Sequence, residues 1–109
     1  EAFGAAADND IQAVGRLLLC GDVRVDARIG DQAQTLLHVA AEGGFWKLTQ
    51  LLVRDFKAPL HARNAFGNTP LHLAEANGHK RVARLLRAFG ASDRVKNATG
   101  KTPIDLRTI

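Results

Sequence analysis

Methionine and tyrosine are absent from these 109 residues, and cysteine, serine and tryptophan occur once each, as Cys20, Ser92 and Trp46. A lone cysteine cannot close an internal disulfide, which excludes a disulfide-stapled scaffold and favours a reducing compartment. Cys20 ends a leucine-rich run and is expected to be a small buried hydrophobe rather than a reactive thiol. Without methionine the chain has no initiator of its own, so it is expected to be a piece of a longer protein. No apolar run approaches the roughly 18 residues of a membrane span, and no basic-then-apolar leader opens the chain. An intracellular protein, cytoplasmic or nuclear, is expected, and a monomer as it stands. Ser92 lies in Gly90-Ala91-Ser92-Asp93 with no glycine elbow and no base placed by sequence. The glycines are single turn formers, not a phosphate-cradling loop. No catalytic residue and no cofactor are expected.

Charge is present but unevenly spread. Residues 1–44 hold three Lys or Arg against seven Asp or Glu, a net −4, whereas residues 45–109 hold twelve against four, a net +8. The fold should have an acidic end and a basic end.

The most ordered stretch is Gly67-Asn68-Thr69-Pro70-Leu71-His72-Leu73-Ala74. Thr69 is a good N-cap, because its hydroxyl accepts from an amide N–H of the first helical turn that has no other partner. Pro70 follows at the first helical position, where its missing N–H costs nothing. Asn77-Gly78 then stops the helix, and Val82, Leu85, Leu86 and Phe89 place one apolar stripe on a second helix. The same block recurs as Thr35-Leu36-Leu37-His38-Val39-Ala40, 34 residues earlier, and as Thr102-Pro103-Ile104-Asp105-Leu106, 33 residues later. A fainter copy opens the chain, where Leu17-Leu18 lines up with Leu51-Leu52.

With Thr-Pro-Leu-His-x-Ala complete at residues 69–74 on a period near 33, the chain resembles the ankyrin repeat family. The resemblance covers nearly the whole chain. It implies an all-α solenoid of stacked helix-turn-helix units, joined by β-hairpin-like fingers. The units run approximately 1–34 (incomplete), 35–68, 69–101 and 102–109 (incomplete). Unit one begins with a truncated helix over residues 1 to about 9, broken by Asp8-Asn9-Asp10, and continues in a helix whose stripe is Ile11, Val14, Leu17 and Leu18. Its finger, around Ala27-Arg28 and Gly30-Asp31, is about one residue longer than the later ones. Unit two has Leu36 in place of the proline, Phe45 where the next unit has His79, and Asp55-Phe56-Lys57 in place of a terminal glycine, so an irregular helix end is expected. Its second helix should turn Leu48, Leu51, Leu52 and Phe56 inward, with Trp46 packed along its outer face. Unit three carries Lys80, Arg81, Arg84 and Arg87 beside its stripe. In unit four Asp105 replaces the histidine, no second helix follows, and Ile104, Leu106 and Ile109 would leave apolar surface exposed.

His38 and His72 each sit three residues after a capping threonine and are expected to hydrogen-bond the cap and the turn backbone. A metal site needs three or four converging ligands, and the histidines instead recur with the repeat; no metal is expected. What remains is surface. In ankyrin-repeat proteins the concave face, lined by fingers and first helices, binds other proteins. The resemblance therefore marks as partner contacts Gln34, Glu42 and Gly43 in unit two; Arg63, Ala65, Phe66, Asn68, Ala76 and Asn77 in unit three; and Lys96, Thr99 and Lys101 in unit four. Phe66, at a finger tip, either anchors a partner or folds back on the adjacent finger. The expected function is a non-catalytic protein-binding module. The alternatives are binding of nucleic acid or anionic lipid through the basic half, or a regulatory domain attached to an enzyme or channel.

Overall fold

The computed structural model describes residues 11–21 and 24–106; the helix expected over residues 1–9, with its Asp8-Asn9-Asp10 break, and Ile109 lie outside them. Among the described residues the chain forms five α-helices, α1 (Ile11–Leu19), α2 (Leu36–Gly43), α3 (Trp46–Phe56), α4 (Pro70–Ala76) and α5 (Lys80–Ala88), followed by a 3-10 turn over Ile104–Leu106. They form no strand, and one isolated antiparallel bridge joins Ile29 to Gln34. The fold is all-α; among the described residues only the first finger pairs as a β-bridge, and the later fingers close on backbone bonds without one.

The helices stack in two layers. In the inner layer α2 packs on α4 and α4 on the 3-10 turn; in the outer layer α1 packs on α3 and α3 on α5. The contacts α2–α3 and α4–α5 join the layers into a body of 38 × 26 × 22 Å. Leu36, Leu37, Leu48, Leu52, Leu71 and Leu86 are fully enclosed between them. Ala40, Ala41 and Ala74 are enclosed too, and their small side chains let the short inner helices lie close together. Such a stack gains its stability chiefly at nearest-neighbour interfaces.

The apolar stripes hold with corrections: on α3 Leu48 and Leu52 are enclosed, while Leu51 and Phe56 are only half-buried. Leu85 is only half-buried, and Phe89 is exposed because α5 ends at Ala88 and leaves Phe89 as its cap, off the inward stripe. Cys20 is exposed, not buried, because it lies in the turn beyond the last residue of α1. On α1 itself only Val14 is enclosed, with Ile11, Leu17 and Leu18 partly covered.

Helix ends follow the same local rule. The amide of Phe45 donates to the Ala40 carbonyl at 3.0 Å, that of His79 to Ala74 at 2.9 Å, and that of Ala91 to Leu86 at 2.9 Å. Each bond closes back over a left-handed glycine, respectively Gly44, Gly78 and Gly90. Helix α3 departs as expected: Ala58 reaches back one residue further, to Leu52, and Lys57 takes the left-handed position at φ 55°. The first finger is also longer, Ile29 pairing with Gln34 where later fingers close Asn64 on Asn68 and Asn97 on Lys101. Its additional residue is absorbed by Ala33 at φ 53°. At the far end Asp105 accepts from the Thr102 amide at 3.0 Å and so imitates the histidine, but the turn is 3-10 and leaves Ile104 exposed and Leu106 half-buried.

Candidate functional site

The threonine caps do more than start helices. The Thr35 hydroxyl accepts from the His38 amide, and the Thr69 hydroxyl from the His72 amide, while each imidazole reaches back to the cap amide. The outer ring nitrogen then crosses to the next finger: His38 Nε2 lies 2.8 Å from the Asn68 carbonyl and His72 Nε2 lies 2.9 Å from the Lys101 carbonyl. A carbonyl only accepts, so Nε2 carries the proton and Nδ1 is left to accept from the threonine N–H and O–H. Burial is the main force lowering the pKa of both rings, opposed by the carbonyl bonds and aided by the charge of Arg28 near His38 and of Arg63 near His72. Each ring is thus a neutral strut between a helix cap and a neighbouring finger. Among the described residues no three His, Cys, Asp or Glu side chains gather as a metal-ligand group.

The fingers are tied to one another along their whole length. Ala65 N donates to the Gln32 carbonyl at 2.7 Å and Ala98 N to the Phe66 carbonyl at 3.0 Å. The Arg28 guanidinium donates to the Arg63 carbonyl, and the Arg63 guanidinium to the Lys96 carbonyl. Within fingers, the Asn64 side chain accepts from the amides of Phe66 and Asn68, and the Asn97 side chain from those of Thr99 and Lys101. Of these latching side chains the sequence singled out Arg63, as a partner contact, and gave Arg28, Asn64 and Asn97 no such role. Their signal was there, since Arg28, Arg63 and Lys96 follow one another at 35 and 33 residues and Asn64 and Asn97 at 33. Gly67 shows how close the fingers run: a Cβ on it would lie 2.6 Å from the Ala98 backbone nitrogen.

This ladder sorts the expected contact residues. Gln34 and Asn68 are half-buried and take part in side-chain bonds between fingers, Gln34 Oε1 with Asn64 Nδ2 and Asn68 Oδ1 with Asn97 Nδ2. Arg63 is exposed, but its guanidinium is engaged on Lys96; the Thr99 hydroxyl is engaged on Asn97. Asn77 bonds back to the Leu73 carbonyl at 2.9 Å. Glu42, Gly43, Ala65, Phe66, Ala76, Lys96 and Lys101 present their side chains or helix ends to solvent. Phe66 does not bury itself on its neighbour: it is 55% exposed on a tip whose backbone is held from both sides.

The basic helix is less free than its sequence implies. Arg87 bonds the buried Glu75 at 2.8 Å and Asp93 at 2.7 Å. The Arg81 guanidinium stacks over Trp46, 3.7 Å from the ring centroid. Trp46 therefore packs along the outer face, as expected, beneath an arginine of the next helix pair. His79 bonds the Glu42 carbonyl at 2.9 Å and lies against Gly44, where a Cβ would come within 2.6 Å of the ring.

A two-layer stack, histidine-braced caps and latched fingers at a 33-residue period are matched by one family model, ankyrin repeats in three copies, over residues 3–99. The chain belongs to the ankyrin-repeat family. Among similar proteins, the ankyrin repeat and KH domain-containing protein mask of Drosophila melanogaster is 33% identical over 84 residues, covering 75% of this chain and 2% of that protein. Protein phosphatase 1 regulatory subunit 27 of Mus musculus is 35% identical over 77 residues, covering 71% of this chain and 49% of that protein. Rabankyrin-5 of Mus musculus is 39% identical over 66 residues, 61% of this chain and 5% of its own length. The chain thus spans about half the length, or far less, of these curated relatives. The ankyrin-repeat fold is a general protein-interaction module. No helix among the described residues is long and apolar enough to cross a membrane.

Proposed function

We propose that this ankyrin-repeat chain is a non-catalytic recognition module of a longer intracellular protein, built of units at 35–68 and 69–101 with incomplete units on either side. It binds another protein on the face made by the finger tips and the exposed ends of α2 and α4. The observation that carries this reading is Phe66. Burying an aromatic ring is worth far more than leaving it in water, yet this one is displayed on a tip that neighbouring fingers hold in place. Preorganised aromatic anchors of that kind dominate binding energies, because little ordering remains to be done on association. Glu42, Ala65, Ala76, Asn77, Lys96 and Lys101 form the surrounding contacts, whereas Gln34, Arg63, Asn68 and Thr99 chiefly fix the shape of the face.

The test compares wild type with Phe66→Ala as baits at low and at high salt. A protein retained by wild type at high salt and lost by Phe66→Ala supports the reading. Material that is nucleic acid or lipid, washes off with salt and ignores Phe66 overturns it.

A further inference from the structure

The outer layer carries charge of one sign. Helices α1, α3 and α5 contain a single carboxylate, Asp55, and Arg54 beside it holds it at 3.1 Å. Arg16, Lys47, Lys80, Arg81 and Arg84 on the same helices are exposed, and none has an ion-pair partner among the described residues. Among the described residues the other exposed carboxylates lie off these helices, Asp26 and Asp31 on the first finger segment, Glu42 at the end of α2 and Asp105 in the 3-10 turn.

Two features make this more than a solvated face. The Arg81 guanidinium carbon lies over Trp46, 3.7 Å from the ring centroid. Its N–H donors lie in its own plane, so its edge stays open to the two oxygens of a carboxylate. Beside the basic row, the α1–α3 seam is indented by a groove of about 370 Å³ lined by Ile11, Gly15, Leu19 and Leu51 with Gln12 and Arg16. Gly15 keeps it open, since a Cβ there would already meet Leu51 at 3.8 Å. Leu19 is 78% exposed at its end.

We infer that the outer face is a second interaction surface, separate from the finger tips, that binds an acidic segment of another protein. Carboxylates of that segment pair with the row from Lys47 to Arg84, and one aliphatic or aromatic side chain enters the groove. Charge complementarity selects the acidic partner. The groove selects a protein over a polyanion, because nucleic acid has no aliphatic side chain to place there and the Trp46 ring is covered by Arg81.

Trp46 is the sole tryptophan and lies under Arg81, so its fluorescence reports occupancy. The probes are decapeptides of Glu and Asp carrying one central Leu or Phe, the same peptides with Ser at that place, a short DNA duplex, and vesicles of anionic phospholipid. Saturable binding of the Leu or Phe peptides, stronger at low salt, is expected. It should weaken about tenfold in Arg81→Gln/Arg84→Gln and stay unchanged in Phe66→Ala. Gly15→Val, which fills the groove without removing charge, should bring the Leu peptide down to the level of the Ser peptide. No saturable peptide binding at low salt overturns the inference. So does DNA or vesicle binding as tight as the peptide's with Gly15→Val silent, which would make the face a plain polyanion surface.

Discussion

Lowering the pH from 7.5 to 5.5 should destabilise this protein through two residues. His38 and His72 are fully enclosed, and burial lowers the pKa of both below the ordinary value of 6.5. The native rings stay neutral at a pH where the unfolded chain takes up protons. Stability is therefore complete above about 6.5 and falls as pH drops from there towards the lowered native values. The unfolded-state titration sets the ceiling: between pH 7.5 and 5.5 each imidazole accounts for at most about 1.4 kcal/mol, the pair for just under 3 kcal/mol. For a domain of this size that ceiling corresponds to a fall in melting temperature of at most about 10–20 °C. Asp105, whose pKa is lowered by its bonds to Thr102, contributes stability that is lost only as pH falls below the carboxylate range, outside this window. Melts monitored by circular dichroism at the two pH values measure the effect, and His38→Gln and His72→Gln should each remove about half of the pH dependence. Since either variant is itself less stable, imidazole proton shifts in the wild type give an independent reading. Both rings titrating near 6.5 in the native state, or a wild-type melt indifferent to this pH change, would refute the argument.

Leu71→Ala, at an enclosed position on α4, should cost roughly 2–5 kcal/mol in a urea melt. Leu85→Ala should cost visibly less, because Leu85 is only half-buried. Arg87→Ala should destabilise by up to about 3 kcal/mol and Glu75→Gln by less, since the first leaves a carboxylate in an enclosed place without its guanidinium; equal costs in a melt would contradict this. Arg81→Ala should shift the Trp46 emission and cost about 0.5–1 kcal/mol, and an unchanged spectrum would mean that the stack does not persist in solution. Gly67→Ala combines a left-handed φ of 76° with a backbone clash at Ala98, and should raise amide exchange at Ala98 and Thr99 as the two fingers part.

The fold was legible because its determinants are local and repeated. Thr69, Pro70 and Gly78 each act on the turn beside them, and one copy of the block predicts the next. The misreadings fall where a helix ends. Cys20 and Phe89 continue an apolar run in sequence but lie one residue past the last helical turn, where the 3.6-residue period no longer decides which way a side chain points. Long-range pairings were legible only in part. That a histidine three residues after a threonine braces its cap follows from spacing, but that its other nitrogen crosses to a carbonyl 29 or 30 residues on requires the stack itself. The basic cluster misled for a related reason: Arg87 finds Glu75 on another helix and Asp93 beyond its own, and Arg81 finds a ring on the neighbouring helix pair.

The same accounting explains why the partner is harder to read than the fold. A solenoid must satisfy the backbone groups of its fingers without a sheet, and here it does so with Arg28, Arg63, Asn64, Asn97 and the two bracing histidines. Side chains consumed in this way are fixed by the period, so a periodic sequence reveals them. Phe66, Glu42 and Lys96 have side chains that no neighbouring unit requires. Their identity is free to follow a ligand, and nothing in the repeat dictates it. A phenylalanine where the following finger has a threonine is therefore informative because the stack does not need it. If Phe66→Ala leaves the melt unchanged within a few tenths of a kcal/mol while abolishing capture of a partner, the division between side chains that hold the stack and side chains that read its ligand is the right one. A stability loss of several kcal/mol would instead place Phe66 among the latches, and the finger-tip face would lose its anchor.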